Sequence, residues 1–356
     1  MNPPNRKRTS VRDVAVAAQT SVATVSRVLN NTGYFAEETR ARVLKAAEEL
    51  NYHPSLRAKG LRQKRSYTIG LLIPNLLNAY YTALADAISQ LLTKAGYQLL
   101  LSSTRDDPVL EQATLRQLIG HDVDGLLWVP TMGDKKTVDI LLSQNIPCVS
   151  IVRRVDGDRL DTIVFEDLAG SYAAVHYLIQ LGHRRIGFIG GDISYNSNND
   201  RWQGYLKALK EAGIEVEEGL VKIGSARDTW GSIATDELLR RSEPPTAIFA
   251  ASNAIIPGVM KWLLQHEVQI PEEMSLICFD DLDWFTFSNP PISAISISHE
   301  RIAEAAVDLL LQRIEGPEVS KRPPIFMNIS FKLLPRKSAA APRKAPAHWK
   351  QLPAII

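Results

Sequence analysis

The residues with the clearest chemical potential lie in the segment SVATVSRVLN, residues 21–30. Val25 and Val28 fall at the spacing of one helical face, which predicts a short helix packed on a core. The outward face carries only small residues such as Ala23 and one long cation, Arg27. Small side chains allow a close approach of the helix backbone, and an arginine can bond a guanine edge through two hydrogen bonds. The segment therefore has the chemistry of a helix that reads DNA bases.

The charge distribution favours the same interpretation. The net charge is only +2, but residues 1–66 hold 13 basic and 5 acidic residues, and residues 67–334 hold 23 basic and 34 acidic residues. Residues 335–356 add five basic residues and no acidic one. A basic head on an acidic body predicts that the head meets a polyanion. A solvated basic arm explains the charge alone equally well.

The rest of the composition bounds the protein class. Cys148 and Cys278 lie inside apolar runs, as expected of buried reduced thiols in a reducing compartment. No apolar run is long enough to span a membrane, and the basic start lacks the apolar core of a signal peptide. We therefore predict a cytoplasmic protein without a membrane partner.

Catalytic and metal-binding motifs do not emerge from the sequence. The patterns G-x-S-x-G, H-E-x-x-H and the P-loop are absent, and the glycines of GFIGGD lack dinucleotide-binding spacing. The seven histidines have no metal-ligand spacing. The sequence predicts a protein that is not an enzyme and that holds no cofactor or metal.

Three helices are predicted within residues 9–52. Ser10 and Asp13 fit a capping box ahead of the first helix, and Ser21 can cap the second after a turn of about three residues. Two helices joined by a tight turn form a helix-turn-helix, whose second helix enters the major groove of DNA. A three-helix packing unit without DNA function is the alternative.

From residue 67 the pattern changes to strands alternating with amphipathic helices. Two series of this kind, separated near residue 167, predict two lobes built on parallel sheets. Ligands of such sheets bind beyond the carboxyl ends of the strands, so we expect a cleft between the lobes. Residues 335–356 are rich in proline, alanine and lysine and are predicted to be disordered.

Several separated motifs together resemble one protein family. SVRDVAVAAQTSVATVSRVLNN, ELNYHPSLRAKGL, LGHRRIGFIGG, SLICFDDLDW and NPPISAIS occur in the order found in the LacI/GalR family of bacterial repressors, over about residues 9–334. The resemblance implies an all-α helix-turn-helix headpiece plus an α/β periplasmic-binding-protein-like core of two doubly wound lobes. It divides the chain into a headpiece (1–52), a hinge helix or linker (53–66), an effector-binding core (67–334) and a tail (335–356).

The resemblance also implies which residues meet DNA. Val22, Ala23 and Arg27 occupy its base-reading positions, and residues 58–61 match its hinge helix. Leu61 matches a wedge that enters the minor groove and kinks the duplex, which requires two copies on a near-palindromic operator. Without the family, Leu61 is one apolar residue of a linker. The predicted DNA-binding residues are Ser21, Val22, Ala23, Thr24, Arg27, Lys59 and Leu61.

Effector-binding residues follow from the same resemblance. They match family motifs at strand ends or carry aromatic faces on which a sugar can stack. For the aromatic residues taken singly, core packing is the alternative, and for Arg201 and Asp280 it is a salt bridge on a lobe surface. The predicted effector-binding residues are Asn78, Tyr80, Tyr81, Arg201, Trp230, Asn253, Asp280 and Trp284.

Four departures from the family pattern carry consequences. Gln19 stands where the turn usually has glycine, so this backbone avoids a positive φ or tolerates strain. Ala36 replaces the usual cap of the third helix, which weakens that cap by about 1 kcal/mol. Val152 and Ala254 stand where the family has aspartates. The cleft is then less negative, which slightly favours a sugar acid or sugar phosphate over a neutral sugar.

Together these features predict a homodimeric transcriptional repressor that binds a near-palindromic double-stranded DNA operator. A small carbohydrate-like effector, bound between the lobes, switches its operator affinity. A sugar-binding receptor without DNA function is the main alternative, although it predicts a signal peptide and no basic head. An enzyme with an α/β core is a third hypothesis.

Overall fold

The computed structural model describes residues 9–30, 32–52, 65–131, 135–155, 159–225, 227–316 and 322–343. The chain divides into two compact units, Met1–Tyr67 and Thr68–Ile356. The predicted hinge residues 53–64, including Lys59 and Leu61, lie outside the described residues.

The first unit contains three helices in the described residues, α1 (Val11–Ala17), α2 (Val22–Leu29) and α3 (Glu37–Glu49). The predicted capping box is present, because Asp13 Oδ2 accepts a hydrogen bond from the Ser10 backbone at 2.8 Å and the Asp13 backbone bonds Ser10 Oγ at 3.4 Å. The α1 start is therefore fixed by two reciprocal bonds.

The start of α2 is capped as predicted, and its turn is strained. Ser21 Oγ accepts a hydrogen bond from the Thr24 backbone at 3.1 Å. Gln19 has a φ of +50°, so the turn keeps the glycine-like conformation without glycine. Ala36 makes no side-chain bond to α3, which confirms the weaker cap.

A small apolar core joins the three helices. Val14 of α1, Val25 and Val28 of α2, and Val43 of α3 are buried together. These residues recur at helical spacing, so each helix turns one stripe inward and leaves its other face to solvent.

The second unit is an α/β core. Its strands are β1 (Thr68–Ile73), β2 (Gln98–Ser103), β3 (Gly125–Trp128), β4 (Cys148–Ile151), β5 (Asp161–Phe165), β6 (Ile186–Gly191), β7 (Val221–Gly224), β8 (Ala247–Ala250), β9 (Ser275–Phe279), β10 (Ser293–Ile297), β11 (Phe326–Ile329) and β12 (Phe331–Leu334). Its α-helices are α4 (Ala79–Lys94), α5 (Pro108–Gly120), α6 (Lys135–Ser143), α7 (Asp167–Gln180), α8 (Asn196–Glu211), α9 (Asp228–Leu239), α10 (Ile256–Gln265), α11 (Trp284–Phe287) and α12 (His299–Glu315).

The strands form two six-stranded sheets of the same design. Their orders are β11-β5-β4-β3-β1-β2 and β12-β10-β9-β8-β6-β7. Neighbouring strands are parallel except for β10 and β12. The chain passes between the sheets after β5, after β10 and after β11, which confirms two lobes. We call the lobe with β1–β5 lobe 1 and the lobe with β6–β10 lobe 2.

Because the two sheets have the same strand order, each strand of lobe 1 has an equivalent strand in lobe 2. In lobe 1 the fourth strand, β4, lies between β5 and β3, and in lobe 2 the fourth strand, β9, lies between β10 and β8. Both strands are buried along their whole length, as expected of parallel strands covered by helices on both faces. Their carboxyl ends therefore deliver corresponding residues to the same kind of crevice.

The chain after β12 is packed on lobe 2. Ser338 is fully buried; its Oγ donates to the Leu276 carbonyl at 2.6 Å and accepts from the Ser293 backbone at 2.8 Å. Arg336 makes two bonds of 2.7 Å to the Asp281 carboxylate. The prediction of a disordered tail is thus wrong for residues 335–343, because Ser338 bonds backbone groups of the sheet and Arg336 bonds a carboxylate beside it.

The rest of that tail, residues 344–356, lies outside the described residues. Among the described helices, none combines the length and apolar character needed to cross a membrane.

Candidate DNA-reading helix and ligand cleft

The outward side of α2 carries the residues predicted to read bases. Ser21, Val22, Ala23 and Arg27 are exposed, and Thr24 is half-buried. The Thr24 hydroxyl lies 2.9 Å from the Ser21 hydroxyl, which ties the first turn together. The helix therefore presents small side chains at its start and one exposed guanidinium at its end, as the sequence predicts.

A cleft in the second unit is lined by residues of both lobes. Six of the eight predicted effector residues belong to it. The lining residues are Asn75, Asn78, Tyr80, Tyr81, Asp106, Val152, Arg153, Phe165, Ser197, Asn198, Arg201, Ser252, Asn253, Asp280 and Ile297.

Arg201, on α8, is buried at the lobe 2 side of this cleft. Its Nε donates to Asp167 Oδ1 at 2.7 Å and its Nη1 donates to the Ala251 carbonyl at 2.8 Å. The guanidinium carbon lies 3.8 Å from the centre of the Phe279 ring, and Nη2 lies 3.9 Å from Asp280 Oδ1. Arg201 is thus a fixed donor inside the lobe, and a salt bridge on the lobe surface is excluded.

Asp280 directly follows β9 and holds a carboxylate at the cleft. Its Oδ2 accepts the Asn253 backbone N–H at 3.3 Å, whereas its buried Oδ1 accepts no hydrogen bond within the described parts of the chain. Burial raises the pKa of Asp280, and the Arg201 charge and the Asn253 bond oppose that rise. A buried acceptor of this kind suits a donor on a ligand.

Tyr80 places a second polar atom in the same region. Its hydroxyl is buried and has no hydrogen-bond partner among the residues described. Burial, followed by the Asp280 charge, raises the pKa of this phenol well above its usual value, so it stays a neutral donor and acceptor. Its ring is steeply inclined to the rings of Tyr81 and Phe165, at centroid distances of 5.6 and 5.9 Å and interplanar angles of 73° and 82°.

Two asparagines join the lobes across the cleft. Asn78 Nδ2 donates to Asn253 Oδ1 at 3.2 Å, and Asn253 Nδ2 donates to Asn78 Oδ1 at 2.9 Å. Asn78 also caps α4, because its Oδ1 accepts the Tyr80 backbone N–H at 2.9 Å. Each amide therefore offers polar groups that a ligand could share or replace.

Arg153 turns inward rather than to solvent. Its Nη1 donates to Asp106 Oδ1 at 2.8 Å and to the Pro130 carbonyl at 3.0 Å. Its guanidinium carbon lies 4.2 Å from the Tyr195 ring centre. A carboxylate from another loop thus offsets this cation.

The charge balance of the cleft bears on the predicted preference for an anionic ligand. Arg153 is paired with Asp106, and Arg201 faces both Asp167 and Asp280. Each arginine of the cleft lining is thus paired with at least one carboxylate, and the charge of the effector stays a prediction.

Asp167 and Asp106 were missed as site residues. Asp167 begins α7 two residues after β5, and it is buried against Arg201. Burial raises its pKa to about 6, although Arg201 acts in the opposite direction. A signal existed, since a carboxylate just beyond a strand end lies where such sheets bind ligands.

The two predicted tryptophan platforms are not brought to the cleft. Trp230 donates from its indole nitrogen to the Gly190 carbonyl at 3.2 Å, and its ring covers Gly224. Trp284 lies edge-on to Phe285, with 4.6 Å between ring centroids, on the core of lobe 2. Both rings are partly buried against the lobe 2 core, and their stacking on a ligand stays a prediction.

Within the described residues no group of acidic, histidine or cysteine side chains is arranged to hold a metal ion. Both cysteines are buried and free, and burial raises the pKa of each thiol.

Comparison with known proteins places the chain in a family. Residues 10–55 match the family described as bacterial regulatory proteins, lacI family, and residues 175–339 match a periplasmic binding protein-like domain. The HTH-type transcriptional repressor PurR of Actinobacillus pleuropneumoniae serotype 3 is 32% identical over 314 residues, 88% of this chain and 94% of that protein. The chain belongs to the lacI family. Members of this family are transcriptional regulators, which confirms the predicted function class.

Further comparisons agree with the lacI family assignment. The ribose operon repressor of Escherichia coli K12 is 33% identical over 317 residues, covering 88% of this chain and 95% of that one. A solved structure of the Lac repressor dimer bound to operator and the anti-inducer ONPF matches with a TM-score of 0.83. It is 24% identical and covers 94% of this chain and all of that one, so it confirms the fold.

Proposed function

We propose that this lacI family protein is a homodimeric repressor whose operator affinity is switched by a neutral polyhydroxylated effector in the cleft. The observation that carries the proposal is the cleft itself, where Asp280 Oδ1 and the Tyr80 hydroxyl are buried polar atoms beside Arg201. Such a set of fixed donors and acceptors, with the charges balanced, suits sugar hydroxyl groups.

One of the two relatives described above supports this choice of ligand class. A ribose operon repressor is named for an operon of a neutral sugar, and it is 33% identical to this chain. The proposed effector-binding residues are Asn78, Tyr80, Tyr81, Arg201, Asn253 and Asp280. Asp167 acts through Arg201 as a positioning residue.

The division of the chain follows the same proposal. Residues 1–52 form the headpiece, residues 53–66 the hinge, and residues 67–334 the effector-binding core. In the hinge, Lys59 meets the phosphate backbone and Leu61 enters the minor groove between two copies of the chain.

Effector and operator are coupled through the lobes in this proposal. The Asn78–Asn253 amide pair stabilises one arrangement of the lobes, and a ligand that competes for these amides favours another. By linkage, the factor by which the effector changes operator affinity equals the factor by which operator changes effector affinity.

DNA binding is tested by selecting duplexes from a random pool and measuring their affinity across a salt series. A near-palindromic consensus whose affinity falls steeply with salt supports the proposal, because neutralised phosphates release counterions. Weak binding to every duplex, with no enriched sequence, contradicts it.

Arg27→Ala is expected to relax operator specificity at one symmetric base pair. The loss of a bidentate contact costs about 1–3 kcal/mol of discrimination at that position. For duplexes that already carry a substitution at this base pair, Arg27→Ala should lower the affinity much less than for the unaltered operator. Arg12→Ala, a cation on α1, is the matched control, and a uniform loss at all positions for Arg27→Ala would contradict its base-reading role.

The stability of the core is expected to depend on pH through Asp167. Its folded pKa of about 6 exceeds the usual value of about 4, so the unfolded chain releases this proton first as the pH rises. The groups that face it are Arg201, Asp280 and Arg154. The raised pKa therefore costs stability progressively between about pH 4 and about pH 6, and the cost stays at higher pH.

Asp167→Asn should mimic the protonated acid. Relative to the wild type, the free energy of unfolding of this variant should increase from about pH 4 to about pH 7, by up to about 3 kcal/mol. Thermal unfolding of both proteins across this range measures the difference. A difference that stays constant with pH would contradict the raised pKa.

A further inference from the structure

Val152 holds an unfavourable backbone conformation at the cleft. It directly follows β4 and has a φ of +68°. The Arg153 backbone N–H donates to the Ile151 carbonyl at 2.7 Å, so Val152 is the central residue of a tight γ-turn. Positive φ in such a turn is rare and strained, and for a β-branched residue it is an outlier. Strain of this kind persists where the site needs the residue.

The fold repeat identifies what this position does. Asp280 follows β9 in lobe 2 as Val152 follows β4 in lobe 1, and Asp280 also has a positive φ, of +73°. Both residues line the cleft. The two lobes therefore present equivalent strand-end residues to the same space, one with a carboxylate and one without any polar side-chain atom.

Other apolar groups accompany Val152 in the cleft lining. Phe165, at the end of β5, and Ile297, at the end of β10, belong to the lining together with it. The other twelve lining residues, among them Arg201, Asn253 and Asp280, have polar side chains. The cleft thus combines polar groups with an apolar contribution, and a ligand hydroxyl held against Val152 would find no hydrogen-bond partner on its side chain.

We propose that Val152 is a specificity-determining residue that selects a deoxygenated sugar, one that places a methyl or C–H group where other sugars carry a hydroxyl. The inference rests on the proposed function and narrows its ligand class. Val152 keeps its strained conformation because the side chain contacts the apolar part of the effector.

Matched sugar pairs test the proposal in calorimetric titrations of the full chain. The probes are D-galactose with D-fucose, L-mannose with L-rhamnose, and D-ribose with 2-deoxy-D-ribose, each pair differing by one hydroxyl. For at least one pair we expect the deoxy sugar to bind at least about tenfold more tightly. Val152→Asp should abolish or reverse that ratio, and Val152→Ala should reduce it in part.

Unfolding of the free protein gives a second measurement. Val152→Asn should leave the melting temperature unchanged or raise it, because asparagine tolerates positive φ better than valine. The same variant should lose the preference for the deoxy sugar. Val152→Ile, which keeps the β-branch and the apolar surface, is the matched control and should retain the preference.

Three outcomes overturn the inference. They are tighter binding of the hydroxylated member in every pair that binds, no binding by any pair, and an unchanged ratio in Val152→Asp. In each case the salt-dependent selection of operator DNA decides separately whether the proposed repressor function stands, so the two failures are distinguishable.

Discussion

Arg201→Met is expected to abolish the response to effector and to lower the free energy of unfolding of the core by about 3–5 kcal/mol. The wild-type guanidinium donates to Asp167 and to the Ala251 carbonyl and faces Asp280 at 3.9 Å. Methionine fills part of the volume but leaves two buried carboxylates without their cation. Equilibrium unfolding and calorimetric titration measure the two losses.

The double variant Asp167→Asn/Arg201→Met separates stability from binding. Removing the Asp167 charge should recover a large part of the lost stability. Both charges of the buried pair are then absent, so no unpaired carboxylate is left at residue 167. Effector binding should remain absent, since the donor at the cleft is still missing. A double variant that binds effector normally would overturn the role of Arg201, whatever its stability.

Ending the chain after Pro335 is expected to destabilise lobe 2 by at least about 4 kcal/mol. The deletion removes Ser338, whose hydroxyl and carbonyl bond Leu276 and Ser293, and each such bond contributes about 1 kcal/mol. It also removes Arg336, which holds Asp281 through two bonds of 2.7 Å beside the cleft residue Asp280. Thermal unfolding measures the effect.

The matched control ends the chain after Arg343. That deletion removes only the part of the tail that stays predicted to be disordered, so the melting temperature should equal that of the full chain. The melting temperature of Arg336→Ala should lie between those of the two deletions. The variant should also weaken effector binding, because Asp281 adjoins Asp280. Equal melting temperatures for the deletions after 335 and after 343 would show that the packed segment adds nothing to stability.

Local signals made the helices and lobes predictable. The Ser10 and Ser21 caps act within a few residues, so their sequence spacing suffices to locate α1 and α2. The alternation of apolar strands and amphipathic helices likewise fixes a parallel sheet, because each strand is covered on both faces.

The part of the site with the simplest physical signal is the set of residues that follow a strand end. Asp280 and Asn253 lie just beyond β9 and β8, and the topology alone brings these ends together. Trp230 and Trp284 also follow strands, β7 and β9, but aromatic rings find partners in an apolar core as readily as in a cleft. The partner of Arg153 could not be predicted, because Asp106 belongs to a separate loop.

The tail shows that composition alone does not predict whether a segment packs on the core. Its composition resembles that of disordered segments, but Ser338 is buried because its small polar side chain matches unpaired backbone groups of β9 and β10. Composition averages over all residues of a segment, whereas the packing of this segment depends on one serine that lies within hydrogen-bond distance of the sheet backbone.

The proposed switch is tested most directly by the thermodynamic coupling between operator and effector. Operator affinity of the full chain is measured with and without a saturating sugar that binds the cleft, and sugar affinity is measured with and without operator. Both affinities are expected to change by the same factor, at least about fivefold, and Arg201→Met should remove the change at the operator. A sugar that binds the cleft tightly while operator affinity stays constant would contradict the proposed control of DNA binding by the effector.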